Sequence, residues 1–161
     1  MAETPAKRYG TVPNAEQREM SGLAFVEGLV DGSLPLNTIA KTLDYDVTEA
    51  SVGRVVVTAA PTGDHLNPQG SVHGGFSATL LDACMGLAVA TTLEQGLGST
   101  TLEFKISFMR PVLPDNGVIT AVGTVLRSGR RAGYAEGKIT DAAGKLLAHA
   151  TTSCLIFERP N

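Results

Sequence analysis

The sequence predicts one α+β domain in which antiparallel strands pack on a single long helix, and three observations carry that reading. From Gly74 to about Leu93 the chain is almost entirely small or apolar, the mark of a helix covered on most of its sides. Four extended runs follow, Thr100 to Arg110, Val118 to Arg127, Ala132 to Thr140 and Lys145 to Phe157, punctuated by Pro111, Pro114-Asp-Asn-Gly117, Ser128-Gly129 and Asp141-Ala-Ala-Gly144. At 161 residues with 43% apolar side chains, the chain can bury one ordinary core and is too short to suggest two.

The elements are read in chain order. The first ten or so residues form a lead-in. Asn14, with Gln17 three residues on, is placed to cap a helix whose stripe of Leu23, Val26, Leu29 and Val30 ends at Asp31-Gly32. After Pro35 a short helical turn covers Asn37 to Lys41. Leu43 to Ala60 reads as one or two strands parted by Ser51-Val-Gly53, with Arg54-Val-Val-Val-Thr58 the clearest. Pro61 through Gln69 is a loop leading to the central helix. Beyond that helix, Leu102, Phe104, Ile106 and Phe108 alternate with Glu103, Lys105 and Ser107, so this strand is expected to bury one face. The turn before Lys145 is a hairpin signal. The expected division is a lead-in with an amphipathic helix over residues 1–35 and the main domain over 36–161.

Composition narrows the function. Thirteen Lys and Arg against 16 Asp and Glu give a net charge of -3, which offers no general attraction for nucleic acid or an anionic membrane. Cys84 and Cys154 lie in apolar segments without metal-like spacing, and buried free thiols in a reducing compartment are expected. The amino-terminal stretch lacks the apolar core of a signal peptide, and no run approaches ~18 apolar residues, so a cytoplasmic location is expected. No metal site is expected either.

Asp82 is the anomaly in this pattern. It places a carboxylate among Leu80, Leu81, Ala83 and Cys84, where burial costs several kcal/mol unless the group is hydrogen-bonded or chemically used. The helix opens on His73-Gly74-Gly75, and free N–H groups of a first turn, beside glycines that admit a ligand, suit an anion or a polarised carbonyl. Asp82 would then serve as nucleophile or general base. Gly75 and Asp82 are seven residues apart, ~10 Å of helical rise. A reacting carbonyl needs donor and attacking group within about 3.5 Å each. One helix cannot supply both. Two helices antiparallel across a twofold axis can, so sites shared between two subunits are expected. His73 could orient substrate or merely cap the helix. Arg130 and Arg131 are either a solvated turn or the best local partner for a phosphate.

Together these residues resemble the hotdog-fold acyl-CoA thioesterases of the PaaI-like group, over about Leu36 to Phe157. Asn67 lies six residues before His73 and Asp82 nine after it, the spacing of that family. The segments Thr101-Leu-Glu-Phe-Lys-Ile-Ser-Phe-Met-Arg-Pro111 and Gly129-Arg-Arg through Ala148 resemble its later strands. The resemblance implies a curved antiparallel β-sheet wrapped around the long central helix, here with an extra amino-terminal helix. It further implies hydrolysis of an acyl-CoA to the free acid and coenzyme A in a homodimer or homotetramer, without a cofactor. By position, the Gly75 N–H would polarise the carbonyl and the partner's Asp82 would attack it or activate water. Asn67 and His73 would orient substrate or water, and Arg130 or Arg131 would meet a coenzyme A phosphate. A hydroxyl assisting the acid aligns with Thr101, whereas simple alternation puts Thr100 on the face of Leu102.

Two rival functions share these residues. A hydratase or dehydratase of enoyl- or hydroxyacyl-thioesters would use the same His and acid but release no thiol. A non-catalytic acyl-CoA-binding protein would need an output module, and the first forty residues show no DNA-reading pattern.

Overall fold

A computed structural model describes residues 7–160. Three short helices come first, α1 (Asn14–Arg18), α2 (Gly22–Asp31) and α3 (Thr38–Leu43), then strands β1 (Tyr45–Ser51) and β2 (Arg54–Ala59). The long helix α4 (Gly74–Ala90) follows, and β3 (Leu97–Phe108), β4 (Ile119–Ser128), β5 (Ala132–Thr140) and β6 (Leu146–Glu158) complete the chain. The strands form one antiparallel sheet in the order β1-β2-β4-β5-β6-β3. It curves around α4, as the sequence predicts.

The amino-terminal helix is two helices. Asn14 is the first helical residue of α1 rather than its cap. A second start occurs at Ser21, whose Oγ accepts from Ala24 N–H at 3.2 Å. Gly22 fixes that start in space, because its N–H donates to Leu93 O at 2.9 Å. A Cβ on Gly22 would lie 1.7 Å from Ala90 O. The chain therefore breaks where it must touch the end of α4. Helix α2 ends at Gly32, with φ 79°, the left-handed conformation that glycine adopts without strain.

Helix α4 buries Phe76, Leu80, Leu81, Cys84, Met85, Ala88 and Val89 against the sheet. Sheet and helix approach so closely at Gly123 that a Cβ there would lie 2.2 Å from Cys84 O. Such a contact can relax only by moving backbone. Gly123→Ala should therefore cost about 3 kcal/mol or more, read as a lower urea midpoint with unchanged slope. A variant as stable as the parent would show that the helix can shift.

Strand β3 departs from its expected alternation. Thr101 pairs with Cys154 and Glu103 with Ser153, leaving Leu102 as an extra, bulged residue. Parity flips at the bulge, so Thr101, Phe104, Ile106 and Phe108 share the face towards α4 while Leu102 does not. Nor is that face buried. Phe104 is 37% and Phe108 58% exposed, because β3 is an edge strand that overhangs the start of α4. No helix among the described residues is long and apolar enough to cross a membrane.

Candidate active site

Asp82 lies on the face of α4 that the sheet leaves open, with Ala83 and Gly86, and is partly rather than fully buried. The cost of deep burial that the sequence suggested is thus largely avoided. Thr101 donates its hydroxyl to Asp82 Oδ1 at 2.8 Å. Thr100 is exposed, and the bulge at Leu102 is what turns Thr101 inward. One carboxylate oxygen is thereby anchored, and Oδ2 makes no hydrogen bond among the described residues.

Asp82 stands on a ridge between two cavities. One, about 270 Å³, runs towards the start of α4 past Ala78, Thr79 and Phe104. The other, about 340 Å³, runs towards its end past Gly86, Leu87 and Ala90, under a wall that includes Met20 and Phe25. Beside Asp82, Asn37 Oδ1 accepts from the Tyr45 hydroxyl at 2.9 Å and from Ala40 N–H at 3.3 Å. Burial raises the Tyr45 pKa, the bond to Asn37 opposes that, and the charge of Asp82 adds to the rise. The Asn37–Tyr45 pair was missed from sequence, where Asn37 read only as the start of a helical turn.

The start of α4 revises one assignment. His73 is the N-cap, and its Nδ1 accepts from Gly75 N–H at 2.9 Å. The N–H expected to be free at Gly75 is thus engaged, because the capping side chain folds back on the second residue of the turn. Gly74 N–H makes no hydrogen bond among the described residues. It faces a further cavity of about 350 Å³ lined also by Asn67, Ser77 and Phe108. Gly74 and Asp82 are eight residues apart, ~12 Å of rise. They cannot meet one carbonyl within a single chain.

Asn67 shapes the approach to the helix. Its Oδ1 accepts from Gln69 N–H at 3.0 Å and Ser71 N–H at 3.2 Å, and its Nδ2 donates to Ser71 Oγ at 2.8 Å. The side chain holds the loop before His73 closed, an Asx turn, and one edge still lines the cavity beside Gly74. Arg130 and Arg131 are exposed on the β4–β5 hairpin, beside a cavity near the other end of α4. The hairpin is tied there by a 2.8 Å hydrogen bond between Ser128 Oγ and Thr92 Oγ1, whose own proton goes to Val89 O. Within one chain, then, the structure joins Asp82 with Thr101 and His73 with Gly74, Gly75 and Asn67, and leaves the arginines apart from both groups.

Both cysteines are free. Burial pushes the Cys84 thiol up to about 12, with the nearby Asp82 charge adding to the shift. Burial also raises the Cys154 pKa, and hydrogen bonding with Thr101 and Thr152 opposes the rise. Among the described residues no group of three or more His, Cys, Asp or Glu side chains is placed to hold a metal.

Comparison with known proteins adds independent observations. Residues 69–148, which hold every one of these groups from α4 to β5, match the thioesterase superfamily. A candidate esterase of Saccharolobus solfataricus is 36% identical over 119 residues, 74% of this chain and 83% of the other. Human acyl-coenzyme A thioesterase 13 is 33% identical over 104 residues, 63% of this chain and 72% of that one. Among solved structures, a phenylacetic acid degradation-related protein from Ralstonia eutropha JMP134 superposes with a TM-score of 0.74. It is 29% identical, over 81% of this chain and 98% of that one.

Proposed function

From the premise that this chain belongs to the hotdog-fold, PaaI-like thioesterases and is a thioester hydrolase, we propose that its substrate is an acyl-CoA and that Asp82 performs the hydrolysis. The observation that carries this is the Thr101–Asp82 hydrogen bond on the ridge between two cavities. It holds one carboxylate oxygen still and presents the other to a thioester carbonyl. Asp82 then attacks the carbonyl carbon directly or takes a proton from an attacking water, and the carbon–sulfur bond breaks to release coenzyme A as the thiol.

The carbonyl oxygen is polarised by Gly74 N–H, the free donor at the helix start. His73 keeps that turn in shape by capping Gly75, and Asn67 braces the loop behind it. Because ~12 Å of helix separates Gly74 from Asp82, each site takes its donor from one subunit and its carboxylate from the other. The exposed apolar edge of β3, with Leu102, Phe104 and Phe108, supports a homodimer by offering surface that a second copy would cover. Arg130 and Arg131 make no ion pair among the described residues, which suits them to a coenzyme A phosphate. On this reading residues 36–161 carry the hotdog unit, and residues 17–25, within the 1–35 segment before it, add a wall to its site.

A panel of aromatic, short-chain and long-chain acyl-CoAs, scored with a chromogenic disulfide that reports free thiol, tests the reading. Turnover of at least one class is expected, over a flat background from the protein itself, because Cys84 and Cys154 are buried with raised pKa values. Hydration or dehydration of an enoyl- or hydroxyacyl-CoA without thiol release would overturn it.

A further inference from the structure

The cavity running from Asp82 towards the end of α4 has a built far end. It is formed by the amino-terminal helices and the tail of the chain, which are clasped together. Asn14 Nδ2 donates to Pro160 O at 3.1 Å, while Arg159 Nη1 donates to Asn14 Oδ1 at 3.2 Å and Arg159 Nε to Leu97 O at 3.2 Å. The guanidinium lies over Gly98, where an added Cβ would be 3.2 Å from its central carbon. From Thr101, beside Asp82, to Gly98 is three residues of strand, ~10 Å.

The charges in this cavity are unusual for a purely apolar chain. Among the described residues, Asp82 and Arg159 are the two charged side chains that line it, one at each end. Arg159 is partly buried, and burial lowers its pKa. It has no carboxylate partner among the described residues. A guanidinium offers five N–H donors, and the clasp uses one on Nε and one on Nη1. Donors therefore remain for a ligand, and a desolvated guanidinium favours an anionic acceptor over a methyl group.

We propose that this cavity is the acyl pocket and that Arg159 reads the distal end of the acyl group, selecting acyl groups about 10 Å long that end in a hydrogen-bond acceptor, a carboxylate best. This rests on the acyl-CoA reading above for its substrate and adds the class of acyl group. The clasp also gives α1 and α2 a purpose: they hold Arg159 in place and close the pocket with Met20 and Phe25.

The test is made on binding, in the Asp82→Asn protein, so that turnover does not enter. Calorimetric titration with octanoyl-CoA and suberoyl-CoA compares chains of equal length ending in methyl and in carboxylate. Suberoyl-CoA is expected to bind ~10-fold tighter or better, the scale of a charged hydrogen bond. Adding Arg159→Met should erase that preference while leaving octanoyl-CoA affinity within a few-fold. Equal binding of the two ligands would overturn the proposal, as would a preference that survives Arg159→Met. So would loss of both affinities together, which would mark Arg159 as structural only. Thiol release by the unmodified protein is measured separately. A binding preference without any thiol release would uphold the acyl reading and refute hydrolysis, whereas thiol release without the preference would do the reverse.

Discussion

Replacing Asp82 by Asn should lower kcat ~100-fold or more with little change in stability, since a positioned base or nucleophile contributes at least that much. The substitution is nearly isosteric, and the Asn carbonyl can still accept the Thr101 hydroxyl now held at 2.8 Å. What disappears is the basic oxygen facing the cavities. Steady-state thiol release, together with the urea midpoint, checks both halves of the expectation. Activity within a few-fold of the parent at unchanged stability would remove Asp82 from the chemistry.

Gly74→Pro should be nearly as damaging, by ~100-fold in kcat, because it deletes the N–H at the start of α4 that makes no hydrogen bond among the described residues. Proline is well tolerated as the first residue of a helix. His73, at φ -58° and ψ 135°, already has the extended backbone that a following proline requires. The ring faces the exposed Phe108 side chain, whose nearest atom is 3.1 Å from an ideal Cβ on Gly74, and that side chain can give way. Mixing the two inactive proteins adds a sharper result. In a heterodimer one site carries both lesions and the other carries neither, so random exchange of subunits should restore about a quarter of parental activity. No recovery on mixing, with subunit exchange demonstrated, would place each site within one chain.

Much of this was legible because the sequence patterns were local. A near-continuous apolar run from Gly74, followed by runs parted by Pro, Gly and Asp, is enough to predict one long helix and a meander of strands. The distance from the helix start to Asp82 follows from residue count alone. What sequence obscured was set by contacts between distant segments. The bulge at Leu102 exists only because β3 pairs with β6 some fifty residues later, and strict alternation then misassigns the faces. The break between α1 and α2 answers to Leu93 and Ala90 at the far end of α4. Gly75 looked free because a sequence shows which N–H groups open a helix, but not that His73 Nδ1 turns back on one of them. Arg159 drew no notice at all, since nothing near it in the chain hints that it meets Asn14.

The close approach at Gly123 bears on how the site can move. The backbone it meets belongs to Cys84, two residues beyond Asp82. Main chain pressed on main chain resists sliding along the helix axis, and interiors packed to this density transmit a push instead of absorbing it. The carboxylate is therefore mounted beside a point of the fold that resists displacement, and α4 acts as a fixed post. Room for an arriving acyl chain has to come from the opposite wall, where α1 buries no residue and can swing outward at lower cost than α2, whose Val26 and Leu29 lie in the core. Motion and chemistry are thus assigned to different parts of the molecule, with the bending done by segments that carry no reacting atom.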